Sequence, residues 1–263
     1  MHLYDITNLK SYKRLVGHKK EGYGLSWNKE KVGYLASSAE DHLICIWDIN
    51  AKPDADKIEP LLILDAHQSI VGDVCFHKKQ PEIFASVDDN RRVFLWDLRK
   101  GNKPISNIQG HNGEIYSIDF NPIEDNLYAT GSADRSVMIW DMRKVDTNLA
   151  RLENHTSDIN AVQWSPHDAN VLASCGNDRK VCIWDISKIG ASQSKEDSED
   201  GPAELQFVHA GHTAGVNDVS WREDSEYMLC STSEENIIQI WQMASEIYHE
   251  DNHTPTHIDS NVK

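Results

Sequence analysis

A histidine followed 29 residues later by a tryptophan occurs five times in this chain of 263 residues: His18 and Trp47, His67 and Trp96, His111 and Trp140, His155 and Trp184, His212 and Trp241. In four of the five units the tryptophan is followed by Asp (Asp48, Asp97, Asp141, Asp185), and in three the histidine is preceded by Gly (Gly17, Gly110, Gly211). The distance from one histidine to the next varies, at 49, 44, 44 and 57 residues, so insertions fall between units and each unit has a fixed interior. A fixed interior at this period marks a module that is stacked, because one such module cannot bury its apolar face alone.

Within a unit the apolar residues alternate. Tyr116-Ser-Ile-Asp-Phe120, Leu127-Tyr-Ala-Thr130 and Val137-Met-Ile-Trp140 are separated by Asn-Pro and by Ser-Ala-Asp, the signature of three short antiparallel strands joined by turns. A fourth strand fits before the next histidine, at Leu61–Leu64, Ala150–Leu152 and Leu205–Val208. Four strands per repeat of about 44 residues make the blade of a β-propeller, so the expected fold is all-β. The chain opens in mid-blade, with Leu3–Asp5 as the end of a third strand and Tyr12–Val16 as a fourth. Residues 1–248 are therefore expected to form five complete repeats plus a half blade, with repeat ends near Asp5, Asp48, Asp97, Asp141, Asp185 and Trp241. Such a piece has two raw sheet edges, which a closed propeller does not. The expected reading is a fragment of a seven-bladed propeller, with an incomplete gene model or a truncated form that needs a partner as alternatives. Gln242–Tyr248 can make a short terminal helix, residues 188–211 form an acidic insertion loop, and residues 249–263 are expected to be a disordered acidic, His-containing tail.

Composition removes several function classes. A net charge of −16 argues against direct nucleic-acid binding, which depends on Lys and Arg neutralising phosphates, and favours a basic partner. The five Cys show no C-x-x-C pair and fall mostly in apolar runs, as expected of buried thiols in a reducing compartment. No signal peptide or membrane-spanning run is visible, so neither secretion nor a membrane is expected. No phosphate loop, dinucleotide fingerprint or tetrahedral Cys/His set is present, so no cofactor and no metal are expected.

Ser or Thr, His, Asp and Trp recur together and could mimic a catalytic triad, but a catalytic set would occur once and this one occurs in every unit. The expected role is a hydrogen-bonded fastener that ties the loop entering a blade to its inner turns, with no catalytic residue and no enzyme activity. Its members are His18, His67, His111, His155 and His212, the turn acids Asp41, Asp134 and Asp178, and the five tryptophans, with Ser37, Ser86, Thr130, Ser174 and Ser231 between them. Two units depart from the pattern, with Asn90 and Glu235 at the acid position, and their fasteners are expected to be weaker or differently bonded.

Two sets of variable positions lie near the expected channel mouth. Three and five residues after the histidines stand Glu21 and Tyr23, Glu114 and Tyr116, Asp158 and Asn160, then Ile70 and Gly72, and Gly215 and Asn217. Just before the turn acid stand Glu40, Asp89, Ala133, Asn177 and Glu234. A ring of carboxylates, amides and tyrosines suits an extended peptide carrying Lys or Arg, since charge-assisted bonds are strong where water is partly excluded.

The Gly-His and Trp-Asp dipeptides at this spacing identify WD40 repeats over roughly residues 1–243. Gly17-His-Lys-Lys-Glu-Gly-Tyr-Gly-Leu-Ser-Trp27, Ala129-Thr-Gly-Ser-Ala-Asp134, Gln163-Trp-Ser-Pro-His167, Ser187-Lys-Ile-Gly190, Glu199-Asp-Gly-Pro202 and Trp241-Gln-Met-Ala244 resemble the histone-binding WD40 proteins of the retinoblastoma-binding and chromatin-assembly type. The resemblance implies a nuclear, non-catalytic scaffold in chromatin assembly, deacetylase, methyltransferase or remodelling complexes, with histones H3 and H4 as partners. It places an H3 N-terminal tail at the mouth, with Glu21, Tyr23, Asp158 and Glu234 matching closely. Gly72, Tyr116 and Asn160 depart from the acidic, Asn and aromatic residues usual there. It also implies that the loop carboxylates Glu196, Asp197, Glu199 and Asp200 face the first helix of histone H4, although the family's long N-terminal helix has no counterpart here. The rival expectation is a substrate receptor of a cullin-type ubiquitin ligase that docks an adaptor through Arg99 and Arg143 of its two Trp-Asp-x-Arg motifs.

Overall fold

The computed structural model describes residues 2–5, 10–51, 56–144 and 147–248; the expected tail at 249–263 lies outside them. It is built almost entirely of short antiparallel strands. A first pair, β1 (His2–Asp5) and β2 (Lys10–Leu15), precedes the repeats. The first blade is β3 (Gly22–Trp27), β4 (Tyr34–Ala39), β5 (Ile44–Asp48) and β7 (Leu62–Leu64), with the two-residue β6 (Lys57–Ile58) running parallel to β2. The second blade is β8 (Val71–Phe76), β9 (Ile83–Asp88), β10 (Arg92–Asp97) and β11 (Ser106–Gln109). The third is β12 (Ile115–Phe120), β13 (Leu127–Ser132), β14 (Ser136–Asp141) and β15 (Ala150–Glu153). The fourth is β16 (Ile159–Trp164), β17 (Val171–Gly176), β18 (Val181–Asp185) and β19 (Leu205–His209). The fifth has three strands among the described residues: β20 (Val216–Trp221), β21 (Met228–Ser233) and β22 (Ile238–Gln242). This is the strand pattern of a β-propeller.

Blades stack through the alternation of their side chains. Between the second and third blades, Ala85, Val87, Val93 and Leu95 pack on Ile118, Phe120 and Tyr128. Between the fourth and fifth, Ala173, Val181 and Ile183 meet Val216, Val219 and Trp221. The burial of these apolar faces is the main source of stability, since a single blade exposes both of its faces to water. The leading pair covers only part of the first blade: Leu15 and Ile58 pack with Leu35, Cys45 and Trp47.

The acidic insertion loop expected over 188–211 ends earlier than that span, because the fourth strand expected at Leu205–Val208 forms as Leu205–His209 and pairs with β18 as the outer strand of the fourth blade. The acidic run inside it forms one helical turn, α1 (Asp197–Asp200), whose first amide donates to Ser194 Oγ at 3.0 Å. A second short helix, α2 (Ser245–Tyr248), stacks Tyr248 on Tyr227 with ring centroids 4.0 Å apart.

Candidate functional site

The fastener holds each blade in the shape that presents the mouth. In every blade the tryptophan indole donates to the hydroxyl of Ser37, Ser86, Thr130, Ser174 or Ser231 at 2.8–3.1 Å. The same hydroxyl lies 2.7–2.8 Å from Nε2 of the blade's histidine. The other ring nitrogen meets a carboxylate in four blades: His18 with Asp41 at 3.0 Å, His67 with Asp88 at 2.8 Å, His111 with Asp134 at 3.1 Å and His155 with Asp178 at 2.9 Å. Gly17 and Gly110 before their histidines leave room for the indole: a Cβ would lie 2.8 Å from the Trp47 ring at Gly17 and 2.0 Å from the Trp140 ring at Gly110.

The two departures behave differently. Asn90 is bypassed, because Asp88 on β9 reaches His67 in place of a turn acid, and that fastener is fully bonded. Glu235 turns instead to the main chain and hydroxyl of Thr213, and Nδ1 of His212 is buried without a partner. The extra methylene of Glu carries the carboxylate past the ring.

The turn between the second and third strands of each blade brings the variable residues to the channel mouth. Each turn contains one residue in the left-handed region, with φ between 62° and 69°: His42, Arg91, Arg135, Arg179 and Asn236. A cavity of about 980 Å³ opens there, lined by Tyr23, Asp89, Tyr116, Asp158, Asn160, Asn177, Asn217 and Glu234 of the expected set. Glu21, Glu40 and Glu114 stand outside the lining. Glu40 and Glu114 accept hydrogen bonds from the hydroxyls of Tyr23, at 2.7 Å, and Tyr116, at 2.6 Å, and so fix both rings at the rim. Asn160 donates to Asn177 Oδ1 at 2.7 Å and to the Val216 carbonyl at 2.9 Å. Gly72 lets the Tyr116 backbone close in, since a Cβ there would lie 2.8 Å from the Ile115 carbonyl oxygen.

The mouth gathers negative charge. Among the described residues, no Lys or Arg forms an ion pair with Glu21, Glu40, Asp89, Glu114, Asp158 or Glu234. Burial, then the fields of Glu114, Asp88 and Glu40, push the Asp89 carboxyl up to about 6. The hydrogen bond to Glu40 likewise raises Tyr23, while burial and the bond to Glu114 raise Tyr116.

Below the mouth the channel narrows to a second cavity of about 250 Å³ lined by Asp73, Ser117, Asp119, Gln163 and Asp218. Sequence reasoning missed these residues. They latch one blade to the next: Ser26 Oγ accepts from the Phe76 amide at 2.9 Å, Asp73 from Ile118 at 3.0 Å, Ser117 from Val162 at 3.1 Å, Asp119 from Trp164 at 2.9 Å and Gln163 from Trp221 at 2.8 Å. The signal was present as a polar residue six or eight positions after the histidine, inside an otherwise apolar inner strand. Burial lifts Asp73 to about 7 against the pull of its two backbone bonds, and Lys78 pairs with Asp119 at 2.6 Å.

The remaining expected residues lie elsewhere. Arg99 and Arg143 each close a two-pronged ion pair on the Asp of their own motif, Asp97 and Asp141, at 2.7–2.9 Å, with their guanidinium groups largely exposed. They stand at the ends of β10 and β14 away from the mouth. Glu196, Asp197, Glu199 and Asp200 are all exposed on and beside α1. Among the described residues, no group of three His, Cys, Asp or Glu side chains could hold a metal ion.

The sequence pattern of the WD40 family, described as WD domain, G-beta repeat, matches residues 58–97, 102–141, 146–185 and 203–242, together more than half of the chain. These four matches end at or next to the tryptophan-centred strands β10, β14, β18 and β22.

Proposed function

The chain belongs to the WD40 family, whose repeats build protein-interaction scaffolds, and we propose that its channel mouth holds an extended basic peptide of the histone H3 N-terminal tail type. The observation that supports this most is the carboxylate ring around a cavity flanked by two fixed tyrosines. Burial and the neighbouring carboxylates both raise Asp89; a Lys or Arg side chain entering there favours its charged form, and the tyrosine faces favour a cation further. Under the same reading the exposed carboxylates of α1 face a basic helix of the histone H4 type, and the chain serves as a scaffold subunit of nuclear chromatin complexes. The ubiquitin-ligase reading has less support, since both of its arginines are engaged by the Asp of their own motif.

The test is a titration of the protein with an H3 N-terminal peptide and with a scrambled peptide of equal charge, at low and physiological salt. The H3 peptide is expected to bind selectively and to persist at physiological salt, and Asp89→Lys is expected to weaken it at least about tenfold, the scale of losing a buried charge-assisted contact. Equal binding of both peptides, fading together with salt, would refute the reading, because only diffuse charge attraction would remain.

A further inference from the structure

The chain holds one Asn-Gly dipeptide, Asn112-Gly113, in the loop that enters the third blade between the fastener residue His111 and the rim residue Glu114. At the position of Gly113 the other four blades carry Lys20, Ser69, Ser157 and Ala214. Packing demands the glycine in this blade, because a Cβ on it would lie 2.6 Å from the Asp134 amide nitrogen and 3.0 Å from the Ala133 carbonyl carbon. The loop runs too close to its own turn for any side chain there.

Both groups that an asparagine and its following glycine need for reaction with each other are open. Asn112 is exposed on a bend, and its main-chain amide donates to Asp134 Oδ2 at 2.8 Å. Its carboxamide and the Gly113 N–H form no hydrogen bond among the described residues. In the fifth blade the corresponding amide, that of Ala214, is held by Glu235. In the third, Asp134 is occupied instead by His111, the Asn112 amide and Ser136.

We propose that Asn112-Gly113 is a self-modification site at the rim of the mouth. The Gly113 nitrogen attacks Asn112 Cγ and closes a succinimide ring. The new bond joins these two atoms, the bond from Cγ to the amide nitrogen breaks, and that nitrogen leaves as ammonia with the proton of the Gly113 N–H. Water then opens the ring. Cutting the new bond gives aspartate, and cutting the bond from Gly113 to the main-chain carbonyl carbon of residue 112 gives isoaspartate. No oxidant, reductant or cofactor enters. Isoaspartate routes the main chain through the former side chain and so lengthens the loop between two anchors: the residue 112 amide on Asp134, and the Glu114 carbonyl, which accepts from Ala133 at 2.9 Å. The lengthened loop releases the Glu114 anchor and with it the Tyr116 hydroxyl, which Glu114 holds at 2.6 Å.

The test keeps the folded chain at physiological temperature in mildly alkaline buffer and follows it by peptide mapping, with isoaspartate read by enzymatic methylation of its carboxylate. None of these readouts involves a bound peptide, so they do not depend on what the mouth holds. Asn102, also exposed on a bend but followed by Lys103, is the internal reference. Conversion of Asn112 is expected to outrun that of Asn102 by at least about tenfold, because the Lys103 side chain obstructs the approach that Gly113 leaves open. Asn112→Gln must close a larger ring and is expected to abolish the conversion at this position. In the isoaspartate form the Ala133 amide is expected to lose its exchange protection while the amides inside β13 keep theirs. An Asn112 that lasts as long as Asn102, or one that converts only after the chain is unfolded in urea, would overturn the site. Unchanged protection of Ala133 in the isoaspartate form would overturn the release of the loop.

Discussion

The fourth and fifth blades are written from the same template and differ in how it is completed. Trp184 is fully buried, and its fastener runs through Ser174 and His155 to Asp178, which also accepts from the Thr156 amide at 3.0 Å. Trp241 is only partly buried. Its fastener stops at His212, whose Nδ1 has no partner while Glu235 bonds Thr213. In its place His209 stacks on Trp241, with ring centroids 4.3 Å apart. The fourth blade is packed on both faces, and the fifth on one. A repeat that reads the same in sequence is therefore not equal in energy: one methylene in the acid and one missing neighbour separate a closed network from an open one.

The largest expected effect tests the packing side of this contrast. Trp184→Ala should cost about 3–5 kcal/mol in urea denaturation, as for removal of a fully buried aromatic, and Trp241→Ala clearly less. Equal losses would mean that both indoles contribute alike in spite of their exposure. Next comes the acid. Asp178→Ala should cost about 1–3 kcal/mol, because it leaves the buried His155 ring unpaired, whereas Glu235→Ala should fall within about 0.5 kcal/mol of the parent.

The two histidines also carry opposite pH dependence. Burial opposes the His155 cation, but the bonds and fields of Asp178 and Cys182 outweigh it and lift the ring from 6.5 to about 9. Its contribution to stability is therefore complete below 6.5 and is lost as pH rises toward 9. Burial, helped by nearby His209, lowers His212 below 6.5, so its contribution is present above that value and is lost as pH falls. Amide-exchange protection of β17 and β18 should weaken between pH 7 and 9, and that of β21 and β22 below pH 6.5, each range following from the shift of its own histidine. A common trend in both blades would break the comparison. The one change expected to stabilise is a repair: Glu235→Asp shortens the acid to the length used in the first, third and fourth blades and should stabilise the chain by about 1 kcal/mol, the net value of one restored hydrogen bond.

The propeller was legible because its signal is periodic. Five His-to-Trp intervals with alternating strands between them leave one architecture that buries the faces. The mouth was partly legible. Tyr23, Asp89, Tyr116, Asp158, Asn160, Asn177, Asn217 and Glu234 were picked out as the positions the repeat leaves free, and they line one cavity. Glu40 and Glu114, read into the same ring, stand at its rim and accept from the hydroxyls of Tyr23 and Tyr116, a pairing no local spacing announces. The bonding of His67 to Asp88 was not legible, because the turn position held Asn90 and nothing local says that a strand residue two positions earlier will serve. The latches of Asp73, Asp119 and Gln163 escaped for a related reason: each pairs with a residue 45 to 58 positions away, in the next blade.

The sequence by itself determined the strand periodicity, the repeat length, the fastener residues and the acidic character of the mouth, because these follow from local spacing and composition. The tertiary structure alone decided which acid reaches which histidine and which side chains latch neighbouring blades. Those outcomes depend on distances between residues far apart in the chain, where the length of one side chain is enough to make or miss a bond.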